Sequence, residues 1–352
     1  MNFSEIAKLN KHLTNTIFSI FSETKNHLSL KKTLLLLLFS TAILHSQDYV
    51  DLLEIGYGQT FNNDFEGSAN STQVKALEVD LTFPVILNEK HALVTGVLFS
   101  RNNLQIYPND GTEIFHPGVD ENKFASLYST TLKLGLATTW NDTWSTTFVL
   151  LPKIASDYVN INGDDFYFGG VALLKQKKNE NLTYKYGLYA TSEAFGVFTT
   201  PIFGWYYLSP NGQFELNTSL PISANVNYTS GNFTYGFDYA GIGRSFRLHN
   251  EDIDGSLTYV DLSNLEFASY IQFNVLEKSV LLRANFGYAT SNYEVYATDE
   301  KIDLGVSAFS FGDDRTQLNP DIGGGIFIKL EAVYRFNISD STTPAELPTD
   351  DD

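Results

Sequence analysis

The chain contains no cysteine, which excludes disulfides, thiolate chemistry and a lipid anchor on an N-terminal cysteine together. It also lacks a long apolar run. The longest, Leu34–Leu44 (LLLLLFSTAIL), falls short of the roughly 18–20 residues that a membrane-spanning helix needs. A mean hydropathy of −0.13 leaves no room for a set of such helices. Basic residues are scarce: 23 Lys and Arg stand against 41 Asp and Glu, a formal charge of −18. A surface of that sign repels nucleic acid. Histidine is rarer still, and after residue 46 it occurs only as His91, His116 and His249.

The apolar run itself has a meaning. It follows Lys31 and Lys32 and leads into Leu44-His45-Ser46-Gln47, the layout of a secretory signal peptide with cleavage after Ser46. The stretch before Lys31 is long for an n-region and carries Glu5 and Glu23, so translation is expected to begin nearer Leu28 or Leu30. This leader holds five Lys against two Glu, which leaves 18 basic and 39 acidic residues in the mature part, a charge of −21. The expected organisation is a leader over 1–46, one domain over 47–336, and an acidic, flexible periplasmic tail over 337–352 (NISDSTTPAELPTDDD).

The domain alternates with a period of two. Ile326–Phe336 reads IFIKLEAVYRF, with Ile326, Ile328, Leu330, Ala332, Tyr334 and Phe336 on one face. Phe327, Lys329, Glu331, Val333 and Arg335 are on the other. An outer face apolar along its length, a charged inner face and a terminal aromatic suit the closing strand of a membrane β-barrel. The same alternation recurs in Leu77–Val85, Thr131–Ala137, Leu182–Ala190, Phe233–Tyr239, Leu265–Val275 and Val280–Tyr288. It places Glu78, Asp80, Lys133, Lys185, Asp238, Arg283, Lys329, Glu331 and Arg335 on inner faces. A soluble sandwich would alternate in the same way with its apolar face inward. The secretion signal and the aromatic placement decide for the barrel.

Turn lengths give an independent constraint, because bacterial outer-membrane barrels have short periplasmic turns, longer external loops and an even strand number. Short breaks occur at Asn88–Lys90, Asn141–Thr143, Lys177–Asn181, Ser209–Gly212, Ser230–Asn232 and Glu277–Ser279. Longer ones are expected at Asn62–Thr72, Asn102–Ala125, Ser156–Asp164, Thr191–Thr200, Leu248–Ser256 and Thr298–Asp321. Two short strands meeting at Leu220-Pro221 keep the sides alternating, and proline suits such a break. The fold class is therefore all-β: an up-and-down antiparallel transmembrane barrel of about 12–14 strands, 14 preferred, with both ends periplasmic. Trp140, Trp144, Tyr207, Phe214, Tyr228, Phe233, Tyr334 and Phe336 then form a girdle at the periplasmic interface.

The runs GDDFYFGG (Gly163–Gly170), GWYYLSPNGQFELNTSLP (Gly204–Pro221) and FDYAGIGRSF (Phe237–Phe246) resemble features of the uncharacterised outer-membrane β-barrel proteins of flavobacteria and their relatives, catalogued as domains of unknown function. The resemblance covers about 49–336. It implies fold and outer-membrane location, and it brings no substrate and no functional residue.

Chemistry is sparse. No Ser–His pair falls at bilayer depth to make a lipid hydrolase. A rim protease would have to draw on His116, Asp120, His249 and Asp252, whose spacing favours nothing. Asn250, Asp252, Asp254, Gly255 and Asp261 match five positions of a calcium loop, but the usual first Asp and last Glu are replaced and no helical pattern flanks it. No catalytic, cofactor or metal site is assigned. The expected function is a pore or a barrel that binds or passes a small solute, the rival being a non-conducting structural or adhesive barrel that presents acidic loops. The expected partners are outer-membrane lipid, the barrel-assembly machinery through the C-terminal strand, and a small solute; the barrel is expected to be a monomer. Alternating apolar residues in KIDLGVSAFSF (Lys301–Phe311) predict that the last long loop carries a strand of its own against the mouth.

Overall fold

Alternate placement of Leu, Val, Tyr and Phe favours an extended, pleated chain whose two faces differ. In the computed structural model, which describes residues 49–109, 124–249 and 257–337, fourteen such stretches make a closed antiparallel barrel. The leader with its alternative start, and the tail, lie outside the described residues.

The wall strands are β1 (Tyr49–Phe61), β2 (Lys75–Ile86), β3 (His91–Gln105), β4 (Phe124–Thr139), β5 (Trp144–Ser156), β6 (Phe166–Lys177) and β7 (Leu182–Glu193). Next come β8 (Gly196–Leu208), β9 (Phe214–Ser219), β10 (Ser223–Ser230), β11 (Phe233–Leu248) and β12 (Thr258–Val275). β13 runs in two pieces, Val280–Ala289 and Asn292–Ala297, and β14 is Gly325–Asn337. Each pairs with its chain neighbour, and β14 closes the ring by pairing with both β13 (Leu282↔Ala332) and β1 (Ile55↔Ala332).

The closing strand sorts its faces as its sequence predicts. Ile326, Ile328, Leu330 and Tyr334 point outward, with Leu330 61% exposed, while Phe327, Glu331 and Val333 are buried. Leu132, Leu134 and Leu136 on β4, Tyr186 and Leu188 on β7, and Phe233, Tyr235 and Phe237 on β11 are exposed likewise. An apolar band around a ring of strands with no free end is untenable in water and natural in lipid. The protein is an outer-membrane β-barrel, and its aromatic girdle is present: Trp140, Tyr228 and Tyr334 are exposed, and Tyr207 contacts Phe214 at 6.2 Å between ring centroids.

All six short turns fall where the polar breaks place them, and β9 and β10 meet at Leu220–Ile222. One long loop does not exist. Thr191–Thr200 is not a loop but the ends of β7 and β8, joined at Ala194 and Phe195, both buried in the core. Ser192 and Glu193 read as loop residues, but Glu193 is a lumen side chain. The last long loop does carry a hairpin, Leu304–Val306 paired with Phe309–Phe311, and it joins the edge of β8 in parallel through Phe198↔Gly305 and Thr199↔Val306.

Candidate functional site: the barrel lumen

Every inner-face charge that the alternation picks out faces the lumen, and most are spoken for. Lys329 Nζ lies 2.8 Å from Glu331 Oε1 and 3.5 Å from Glu78 Oε2. Arg283 reaches Glu331 at 3.5 Å and Asp238 at 3.2 Å. Arg335 grips Asp51 through two bonds of 2.6 and 2.9 Å. Lys133 pairs with Asp80, and Lys185 donates to the Asn217 amide oxygen at 2.5 Å. Lys329 needs space to cross the interior, and β1 supplies it with glycine. A Cβ at Gly56 would come within 2.9 Å of Lys329 Cε, and one at Gly58 within 3.3 Å of its Cβ. Tyr270 is seated the same way: a Cβ on Gly236, its cross-strand partner, would fall 2.3 Å from its ring. There it stacks 4.2 Å from the Arg283 guanidinium and its hydroxyl accepts from the Asn225 amide at 3.0 Å.

This belt divides the interior into unlike halves. On the periplasmic side lies a cavity of about 320 Å³, bounded by Tyr49, Asp51 and Glu54 of β1, Glu215 and Asn217 of β9, and Arg283 of β13. Its lining reaches Gly212 and Lys278 in two short turns, so it opens toward the periplasm. The volume is at the lower end of that of ligand pockets. Within the belt itself, a smaller cavity of about 50 Å³ lies between Gly58, Glu78, Arg244 and Lys329.

The outer half is filled. Leu104, Leu127, Phe246, Val260 and Val295 project from five strands into one apolar cluster, which Phe65, Ile302 and Ile322 of the external loops complete. Such packing is dry, because an apolar void holds no water. Two polar devices are embedded in it. Glu193, 0% exposed at its side chain, accepts from Lys153 Nζ at 2.5 Å and from the Ser245 amide and hydroxyl at 2.8 Å each. Arg315 comes down from the last loop, bonds Asp261 Oδ2 and the Tyr259 hydroxyl at 3.0 Å, and lies 4.0 Å from the Tyr296 ring. Its two bonds to Asp313, at 2.8 and 3.0 Å, hold that carboxyl below the usual carboxylate range.

No family model and no curated protein matches the chain. Among solved structures it is similar to an outer-membrane channel of Pseudomonas putida F1, with 11% identity, a TM-score of 0.41, and coverage of 85% of this chain and 100% of that one. The toluene transporter TodX of Pseudomonas putida matches with 10% identity, a TM-score of 0.34, and coverage of 81% and 90%. The NanC porin matches with 9% identity, a TM-score of 0.30, and coverage of 80% and 98%. Nothing beyond a common barrel plan follows from likenesses this loose.

The other candidate residues are placed as follows. His249 Nδ1 lies 2.7 Å from Asp157 Oδ1, and its Nε2 lies 3.4 Å from Asp165 Oδ1. Burial pushes the Asp165 carboxyl up, opposed by the amide of Asn162. The histidine so ties loop 157–165 to the end of β11. His116, Asp120, Asp252 and the first positions of the calcium-loop pattern lie outside the described residues. Asp261, its last position, is instead a wall residue held by Arg315. His91 sits beside a periplasmic turn with Nδ1 3.0 Å from the Thr138 hydroxyl. Glu54, Lys153, Glu193 and Arg244 are lumen residues that the alternation alone did not single out, and Arg315 is a loop residue seated on Tyr259, Asp261 and Tyr296. For Glu193 the signal was present, because it continues the inward set of Lys185 on β7.

Proposed function

We propose that this protein is a small-solute channel of the outer membrane that rests closed on its outer side. The carrying observation is the asymmetry of the lumen: a polar cavity of about 320 Å³ opening to the periplasm, under a dry apolar layer. A barrel built only as scaffold has no use for a hollow, amide- and carboxylate-lined lower half, since side chains can fill the bore. Glycine at 236 supports the same reading, since it seats Tyr270 in the cavity wall. The barrel works as a monomer, meets the assembly machinery through β14, and carries no catalytic centre. Its kinship is with the uncharacterised flavobacterial barrels. In support, the three runs that resemble that family fall at structural junctions here: the capped turn Gly163–Asp165, the β8–β9–β10 corner, and the β11 segment that bonds this corner through Gly241.

The apolar outer layer favours a second reading, a permanently closed barrel. Single-channel recording in planar bilayers separates the two. The channel reading expects low basal conductance that rises when Arg315→Ala releases the last loop from Tyr259 and Asp261. Silence in both proteins, with the barrel correctly folded, would leave the closed barrel standing.

A further inference from the structure

The wall is not equally complete all round. β9 and β10 have 6 and 8 residues, against 13 for β8 and 16 for β11. They end at Leu220–Ile222, bridged to Phe203 of β8, while the β10–β11 pairing ends at Ser223↔Ala240. Above that corner, Gly196–Ile202 of β8 and Gly241–Leu248 of β11 have no wall strand between them. What stands there is the Leu304–Phe311 hairpin, and beyond it the rim of β11 is closed by Ser245, bonded to Ala194 and Glu193, and by Arg247, bridged to Ser156 of β5.

The hairpin is held on one side only. Ser307 N donates to Thr199 O at 3.0 Å and Ile302 N to Phe195 O at 2.8 Å, and no ladder joins it to β11 among the described residues. The sequences of the two rims suit an opening. Phe203 N and Thr199 O both point to this side, so Pro201 between them puts its missing N–H there. On the opposite rim Gly243 is exposed, and a Cβ added to it would meet nothing within 4 Å. Outward, the hairpin shows lipid Leu304, Phe309 and Phe311, with Phe309 69% exposed, and Val197, Phe203 and Leu220 flank it. Inward, Phe198 packs edge-on against Tyr189, 6.4 Å between ring centroids, and against the cluster that contains Ile302. Gly312, at φ +64°, separates the hairpin from the Arg315 tether.

We infer that this hairpin is a hinged panel over a lateral window, through which apolar or amphipathic solutes pass between the lumen and the outer leaflet. The inference rests on the channel reading and adds a route and a substrate class. The straight outward path crosses a packed apolar layer, whereas the window needs the short parallel pairing to β8, the Thr200–Ser307 hydroxyl contact and the Ile302–Phe195 bond to part. A solute leaving there stays on apolar surface, from Tyr189 and Phe198 to the acyl chains. A sugar or an ion would have to shed its water.

Because the chain has no cysteine, a single engineered disulfide tests this. Thr199→Cys with Val306→Cys joins directly opposed positions and pins the panel to β8. The probe is N-phenyl-1-naphthylamine, whose entry into intact Gram-negative cells expressing each variant is followed by fluorescence, with a disaccharide flux measured in parallel. The expected result is that probe entry falls to the level of cells without the barrel when the bridge is oxidised and recovers on reduction, with disaccharide flux unchanged. The reduced form of the same protein controls for folding, and a third variant replaces Leu304–Phe311 by a short Gly-Ser linker and should raise probe entry. Equal probe entry in the oxidised and reduced forms overturns the window. Loss of both fluxes on oxidation also overturns it, in favour of a general gate. Passage of neither solute by any variant refutes the channel reading itself.

Discussion

Glu193→Ala removes the carboxylate that pairs with Lys153 inside the dry outer half of the barrel. Lys153 is 9% exposed at its side chain and Glu193 0%, so neither charge can turn to water. Stranding a buried charge costs about 3–5 kcal/mol. The Ser245 amide, which Glu193 accepts at 2.8 Å, is orphaned at a further cost of about 1–3 kcal/mol. Both losses belong to one network and overlap, so the whole expected effect is about 4 kcal/mol. The double variant Lys153→Met with Glu193→Leu removes both charges and should retain only the Ser245 deficit, about 1–3 kcal/mol. Reversible urea unfolding in lipid vesicles, followed by the fluorescence of Trp140, Trp144 and Trp205, measures both. A loss under about 1 kcal/mol for Glu193→Ala, or a double variant no more stable than the single one, would refute the claim that this ion pair is desolvated and matters.

Gly236→Ala should push Tyr270 off its seat, break its stack on Arg283 and cost about 1–3 kcal/mol, read in the same unfolding assay. Unchanged stability would show that the ring has another place to go. Arg315→Ala should expose 298–324 to external protease on intact cells, whereas the wild type resists. The Asp313–Arg315 contact has the sign of a depressed carboxylate: its contribution is present above the ordinary Asp value near 3.9 and fades as pH falls below it. Asp313→Asn should therefore alter the pH profile of loop cleavage by an acid-tolerant protease only below that value, and a change confined to higher pH would contradict it. Asp165 has the opposite sign, raised by burial, so its contribution shrinks as pH climbs through the carboxylate range. Asp165→Asn should flatten that dependence in a thermal-unfolding series.

How far the sequence reached depended on whether a residue's surroundings were local. Period-2 alternation is a property of one strand, so the faces of β4, β7, β11 and β14 were legible without their neighbours. Strand parity even required the Leu220-Pro221 corner. The Ala194–Phe195 connection was missed because Phe195 is buried by a loop from another part of the chain, contributed by Ile302. The outer apolar layer was missed for a related reason: Phe246, Val260 and Val295 sit on inner faces where charge had been the rule lower down. Near the outer strand ends, runs such as Tyr259-Val260 are apolar on both faces, which is the trace such a layer leaves. Nothing distinguishes Arg315 within DDRTQ from any solvated loop arginine until Asp261 and Tyr259 are placed beside it.

The glycine seats for Lys329 have a consequence for the order in which the barrel is made. Lys329, Glu331 and Arg335 all lie on β14, the last strand to be synthesised, while their partners Glu78, Asp51 and Arg283 lie on β2, β1 and β13. Until the final strand arrives, Asp51 waits for Arg335, while Glu78 and Arg283 have only Arg244 and Asp238 in a sheet that still has two edges. Ring closure therefore also completes the charge network of the belt.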